Sequence, residues 1–249
     1  MNHLKFTAHD ILSAQWAIIT GNPFRIPTMS EILLEEGKEI FWDREYRCSA
    51  GKVAGTPLLL ASHGIGGAST SILIEELATL GVKHFIRMGT SGSIQDRVKI
   101  GDLVLTTSAV RLDGASRHYA PIEYPACADM EMSLGLLHAA QSLNFDIHTG
   151  ITASSDTFYP GQERYDTFSS YVIRDFQNSL KEWQQLHVLN YEMESATLLT
   201  LTHAMGLKSA CITGIVAHRN HQEAIDENIA QTVEHRCMQV IKQYLKQYL

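Results

Sequence analysis

Two stretches of this 249-residue chain set a glycine turn beside an arginine, a pairing able to hold an anion. In Gly21-Asn22-Pro23-Phe24-Arg25, the glycine lets an anion approach the backbone, and Arg25 returns a guanidinium to the same spot. In Arg87-Met88-Gly89-Thr90-Ser91-Gly92, a strand-end arginine runs into a turn of glycines and hydroxyls. A third turn, Gly64-Ile65-Gly66-Gly67-Ala68-Ser69, has the outline of a dinucleotide-binding loop. It lacks the third spaced glycine and a following acidic residue, so tight packing of a helix on a strand is the better reading. Any one of these could be a plain turn. Two arginine-bearing turns at neighbouring strand ends favour an anion site.

Two further segments carry polar chemistry. In Asp156-Thr157-Phe158-Tyr159-Pro160-Gly161-Gln162-Glu163-Arg164-Tyr165, Phe158 could stack on a planar heterocycle whose polar edge meets Gln162 and Arg164. Taken alone, the residues fit a surface loop better, with Arg164 paired to Glu163 or Asp166. In Tyr191-Glu192-Met193-Glu194-Ser195, Glu194 could accept hydrogen bonds from vicinal sugar hydroxyls. The two acids could equally stabilise a helix N-terminus, for ~0.3–1 kcal/mol each, and both readings stand. A paired-carboxylate glycosidase is a competing use, but it depends on a carboxylate separation that sequence does not give.

These residues need elements to hold them. Short apolar runs at Gln15–Thr20, Pro57–Ser62, His84–Met88, Leu103–Thr107, Ile147–Thr152 and Ser209–Val216 predict buried strands. Helical spacing predicts a helix capped by Ser69 with Ile72, Leu73 and Leu77 on its apolar face, one over Met130–Leu143 and one from Met193 through Ala204. Ile229, Val233, Cys237, Val240, Ile241 and Leu245 form one stripe of an amphipathic C-terminal helix over Asn228–Leu249. Arg44–Val53 reads as a strand entering a turn at Ala54-Gly55, while Ser154–Asn190 has little periodicity. Strands alternating with helices predict an α/β layer fold with a parallel or mixed central sheet. No linker or repeat divides the chain, so residues 1–249 form one domain.

The net charge of −7 argues against nucleic acid and leaves anion binding to local arginines. No apolar run approaches the ~20 residues of a membrane helix, and the N-terminus lacks a signal peptide's apolar core. Four scattered cysteines read as reduced thiols of a cytoplasmic protein. Twelve histidines include no metal-binding spacing, so a metal-dependent mechanism is not expected.

The two arginine turns, the run from Ser154 to Tyr165, Asn190 to Ser195, and Val110-Arg111-Leu112-Asp113-Gly114-Ala115-Ser116 occur in an order and at spacings that resemble the bacterial uridine phosphorylases. The likeness covers nearly the whole chain. It implies the single-domain nucleoside phosphorylase fold, a mixed sheet flanked by helices, in a homohexamer of paired subunits that share active sites. It implies uridine and inorganic phosphate as substrates, with phosphate held by Gly21, Arg25, Arg87 and Thr90, and by Arg44 from the neighbouring subunit. Ribose would meet Thr90, Met193 and Glu194, with the neighbour's His3. Uracil would meet Phe158, Gln162, Arg164, Ser91, Gly92, Tyr191 and Glu192 beneath a flap carrying Arg219. Glu45, Ile65 and Ser69 match a monovalent-cation site between paired subunits, usually filled by potassium. No cofactor is required. The roles nearest the chemistry fall to Arg87, Gln162, Arg164, Glu194 and Arg219.

This chain departs from the family pattern at Asn22, where Asp is usual, at Ala217 and His218, where a larger β-branched residue and Asn are usual, and at Asn2. Those changes bear on fine substrate choice. The rival readings are a purine nucleoside phosphorylase, whose flap Asp would fall at Ala217, a nucleoside hydrolase, and a non-catalytic nucleoside-binding protein.

Overall fold

In a computed structural model, which describes residues 1–220, 223 and 226–249, one mixed sheet runs through the chain. Its strands are β1 (Trp16–Thr20), β2 (Glu35–Asp43), β3 (Tyr46–Val53), β4 (Thr56–Ser62), β5 (His84–Ser93), β6 (Leu103–Leu112), β7 (Ala126–Cys127), β8 (Ile147–Ser155), β9 (Asn190–Glu192) and β10 (Lys208–His218). The helices are α1 (Ile26–Leu33), α2 (Gly67–Thr79), α3 (Met130–Ser142), α4 (Ser179–Gln185), α5 (Ser195–Ala204) and α6 (Glu227–Tyr248).

Alternation along the central strands divides the core in two. On one face, Ile18, Leu60, Ile86 and Met88 pack with Met29 and Leu33 of α1, Leu136 of α3, and Ile241 and Leu245 of α6. On the other, Ala17, Ile19, Leu59 and Phe85 pack with Leu73 and Leu77 of α2 and Leu198 of α5. The α/β expectation therefore holds, with helices on both faces.

The sheet is more than an open layer. The first half of β5 lies between β1 and β10, both parallel to it. Its end pairs antiparallel with β9, which continues through β8 and β6 back to β10. Five strands thus close a ring, and each contributes one buried polar side chain to its interior. Thr106 and Thr152 hydroxyls lie 2.7 Å apart, and Thr152 donates to Asn190 Oδ1 at 2.9 Å. Asn190 Nδ2 donates to Ser91 Oγ at 2.8 Å, and Ser91 lies 2.9 Å from Thr213. Such a chain of satisfied hydroxyls is stable inside a core because every member has a partner.

Several expected boundaries move. Ser69 does not cap α2: the helix begins at Gly67, and the Ser69 hydroxyl donates back to the carbonyls of Ile65 and Gly66. The strand expected from Arg44 starts at Tyr46, because Arg44 occupies a left-handed turn (φ 54°) between β2 and β3. Strand β2 gave no apolar signal because it is an edge strand whose charged side chains face solvent. The helix expected from Met193 starts at Ser195, and β5, β6 and β8 run several residues beyond their apolar runs.

Candidate active site

A cleft of about 560 Å³ opens where β1, β4, β5, β9 and β10 end. It brings together Gly21 and Arg25 after β1, Arg87, Thr90, Ser91 and Gly92 on β5, and Phe158, Gln162 and Arg164 after β8. Tyr191, Glu192, Met193 and Glu194 at the β9–α5 junction complete it, with Val216 and Ala217 at the end of β10. Strand ends of α/β sheets are where backbone donors are left free for a ligand.

One end is cationic. Arg25 follows a short turn whose first amide is held by Asn22: Phe24 N donates to Asn22 Oδ1 at 2.9 Å. Arg87 is buried, and burial opposes its charge. Glu194 and then Glu192 more than offset that, so the guanidinium pKa is raised. Arg87 Nη2 donates to Glu194 Oε2, and its Nη1 lies 3.4 Å from Glu192 Oε2.

The two acids divide the two readings between them. Glu192 accepts from the amides of Glu194 and Ser195, each at 2.9 Å, and from the Ser195 hydroxyl at 2.5 Å. It therefore secures the start of α5, as an acid at a helix N-terminus does. Glu194 instead faces the cleft, where its Oε1 accepts from Gly66 N at 2.7 Å.

The other end holds two arginines on one carboxylate. Arg164 Nη1 donates to Glu223, and Arg219 Nε donates to the same carboxylate at 2.5 Å. Arg219 Nη1 also donates to the Gln162 carbonyl at 2.9 Å. The Arg164 guanidinium lies 4.2 Å from the centre of the Phe158 ring. The surface-loop reading of this segment is overturned, because Arg164 is buried and pairs with neither Glu163 nor Asp166. Glu163, left-handed at φ 52°, instead accepts from the amides of Asn178 and Leu180 at the start of α4. Burial and then the neighbouring Arg164 pull the Arg219 pKa down to about 10, which leaves it charged at neutral pH.

Glu223 and Val216 are cleft residues that sequence reasoning missed.

His3 and Arg44 lie outside the lining of this cleft. His3 is tied to Glu76, whose Oε1 sits 3.0 Å from His3 Nδ1 and also accepts from the amides of Asn2 and His3. Arg44 is exposed at the tip of the β2–β3 hairpin. Glu45, Ile65 and Ser69 do come together. A Cβ at Gly64 would lie 2.8 Å from Glu45 Cβ and 3.6 Å from Ser69 Oγ, so only glycine lets the hairpin seat here. The Ser69 hydroxyl lies 3.3 Å from the Ile65 carbonyl, and Glu45 reaches this turn through its Cβ and Cγ. No cluster of three or more His, Cys, Asp or Glu able to hold a metal occurs among the described residues.

Comparison with known proteins places the chain. Residues 15–246 match the family model described as the phosphorylase superfamily. The chain is 46% identical over 241 residues to the uridine phosphorylase of Escherichia coli (strain K12), covering 96% of this chain and 95% of that one. It is 45% identical over 206 residues to the uridine phosphorylase of Thermococcus kodakarensis, covering 83% and 74%. A guanosine phosphorylase of Halorubrum lacusprofundi is 33% identical over 196 residues, covering 79% and 75%. The sheet, the cleft at its strand ends and these matches agree that this chain belongs to the phosphorylase superfamily.

Proposed function

We propose that this chain is a uridine phosphorylase, cleaving uridine with inorganic phosphate to give uracil and ribose 1-phosphate. The observation that carries it is one cleft with two different ends: Arg25 and Arg87 at glycine turns, and Gln162 with Arg164 and Arg219 opposite. Near-full-length identity of 44–46% to several bacterial uridine phosphorylases supports the same reading.

The geometry suits the reaction. A phosphate oxygen forms the bond to ribose C1′ as the bond from C1′ to the uracil nitrogen breaks, and the electron pair leaves with the base. Arg25, Arg87, Gly21 and Thr90 would hold the phosphate, with Glu194 and Met193 beside the ribose. Phosphate also balances the positive charge that grows on the sugar. Gln162 and Arg164 would donate to the uracil edge as it becomes anionic, and the buried position of both side chains strengthens that interaction. Holding both reactants at strand ends supplies the orientation.

The separation of His3 and Arg44 from their own subunit's cleft supports a site completed by a neighbour in a hexamer of paired subunits. Glu45, Ile65 and Ser69 would then contribute to a potassium site between them. The enzyme would act in the cytoplasm, in pyrimidine nucleoside salvage. No described helix is long and apolar enough to cross a membrane.

Chromatographic product analysis of uridine, thymidine, inosine and adenosine, each with and without phosphate, tests the reading. Uridine should be consumed only with phosphate. Equal cleavage without phosphate would make the chain a hydrolase, and inosine turnover matching uridine would move it to the purine class.

A further inference from the structure

Arg25 comes from a turn, so its long side chain needs an anchor if it is to meet phosphate in one pose. Two anchors are present. Arg25 Nη2 lies 2.6 Å from Glu234 Oε1 on α6, with the two side chains 14% and 18% exposed. Arg25 Nη1 donates to Thr20 Oγ1, at the end of β1, at 3.2 Å. Together they engage one N–H of each terminal nitrogen. Arg25 Nε is buried and has no partner among the described residues, as an N–H reserved for a ligand would be.

Glu234 is itself fixed. The adjacent Val233 packs closely on β10: a Cβ at Gly214 would come within 2.4 Å of Val233 Cβ, so the glycine lets α6 seat directly against that strand. Gly214 pairs with Thr90 of β5, and Cys211 of the same strand pairs with Arg87. The helix that carries the anchor of Arg25 thus packs on β10, the strand paired with the one that carries the other phosphate-end residues.

We infer that Glu234 is a positioning residue for phosphate: it holds the Arg25 guanidinium in one pose, leaving Nε–H free for the anion. The inference rests on the phosphorolysis reading above. A carboxylate this close to a phosphate site also repels the anion. Its presence is explained if ordering a flexible arginine outweighs that repulsion.

Steady-state kinetics with phosphate and uridine varied separately, on wild type, Glu234→Gln and Glu234→Ala, test this. Glu234→Ala should raise KM for phosphate about tenfold, with kcat and KM for uridine within about twofold. Glu234→Gln keeps an oxygen that accepts from Nη2 and should stay within about threefold of wild type. Inorganic phosphate alone should raise the melting temperature of wild type and Glu234→Gln, and do so less for Glu234→Ala. A phosphate KM in Glu234→Ala at or below wild type would overturn the inference. So would equal effects of Gln and Ala, or a loss shared equally by phosphate and uridine, which would mark a helix-docking role alone. If Glu234→Ala does not fold, Glu234→Asp, shorter by one carbon, should raise phosphate KM severalfold, and an unchanged value overturns the proposal. Wild-type turnover that ignored phosphate would instead sink the phosphorolysis reading, and the phosphate-induced melting shifts would then decide Glu234 by themselves.

Discussion

Arg87 carries more of the site than any other side chain, because it is buried and held by Glu194 and Glu192 while it lines the cleft. On the proposed function, truncating it would remove a charge-assisted contact to phosphate and would leave Glu194 and Glu192 without a counter-charge. Arg87→Ala should therefore lose about 2–5 kcal/mol of transition-state stabilisation in kcat/KM. A loss below tenfold would remove Arg87 from the phosphate site. His63 offers a pH readout beside it. The side chain is fully buried, its Nδ1 lies 3.1 Å from Thr70 Oγ1, and its Nε2 has no partner among the described residues. Burial, then the charge of Arg87, hold its pKa well below 6.5. The unfolded chain thus binds the proton more readily. The contribution of His63 to stability is present above pH 6.5 and is lost as pH falls through the depressed folded value. Between about pH 7 and pH 5, the melting temperature of wild type should fall more steeply than that of His63→Gln. Parallel curves would show that His63 is not held neutral.

At the scale of elements, the end of β10 shapes one wall of the cleft, the wall beside the base in the proposed function. Its pairing with β5 shifts between Ile215 and Ala217, so Val216 is an extra residue in a bulge. Adjacent residues of a regular strand face opposite ways, yet Val216 and Ala217 both line the cleft, which the bulge explains. Ala217 leaves space that a larger side chain would fill. A methyl or ethyl group at uracil C5 should gain ~0.8 kcal/mol per buried carbon there, a few-fold preference. The ratio of kcat/KM for 5-methyl- and 5-ethyluridine to that for uridine should drop in Ala217→Val. A ratio that does not change would show that Ala217 does not face the base. The β9–α5 junction illustrates the same logic. Glu192 is spent on the first turn of α5, which frees Glu194, two residues on, to face Arg87 and the cleft.

The whole molecule presents a cleft to which its own His3 and Arg44 do not contribute. If a neighbour supplies both, two inactive variants should rescue one another. His3→Ala and Arg164→Ala subunits, unfolded and reassembled together, place one intact site in each mixed pair: Arg164 from one subunit and His3 from the other. Activity above that of either variant alone is the expected result. None, with mixing proven by native mass spectrometry, would mean that each subunit's site is complete by itself.

Much of this was legible one-dimensionally because it is local. The glycine-arginine turns, the apolar runs of β1, β4, β5, β6, β8 and β10, and the stripe of α6 follow from backbone preference and periodicity within a few residues. Helix α1 was not among the expected elements, although Ile26, Met29 and Leu33 at i, i+3, i+7 and Pro27 in its first turn carry a helical signal. The rest depended on partners far apart in the chain. Whether Arg164 meets Glu163, Asp166 or Glu223 depends on a left-handed Glu163 being drawn to α4 while residue 223 closes over the cleft. Whether Ser91 and Asn190 are surface or core depends on the five-strand ring that buries them with Thr106, Thr152 and Thr213. Residue types and their order determined which chemistry was possible. Only the closure of β5 onto both β9 and β10 gathered those residues into one cleft, because register and burial are set by contacts between strands that sequence distance does not encode.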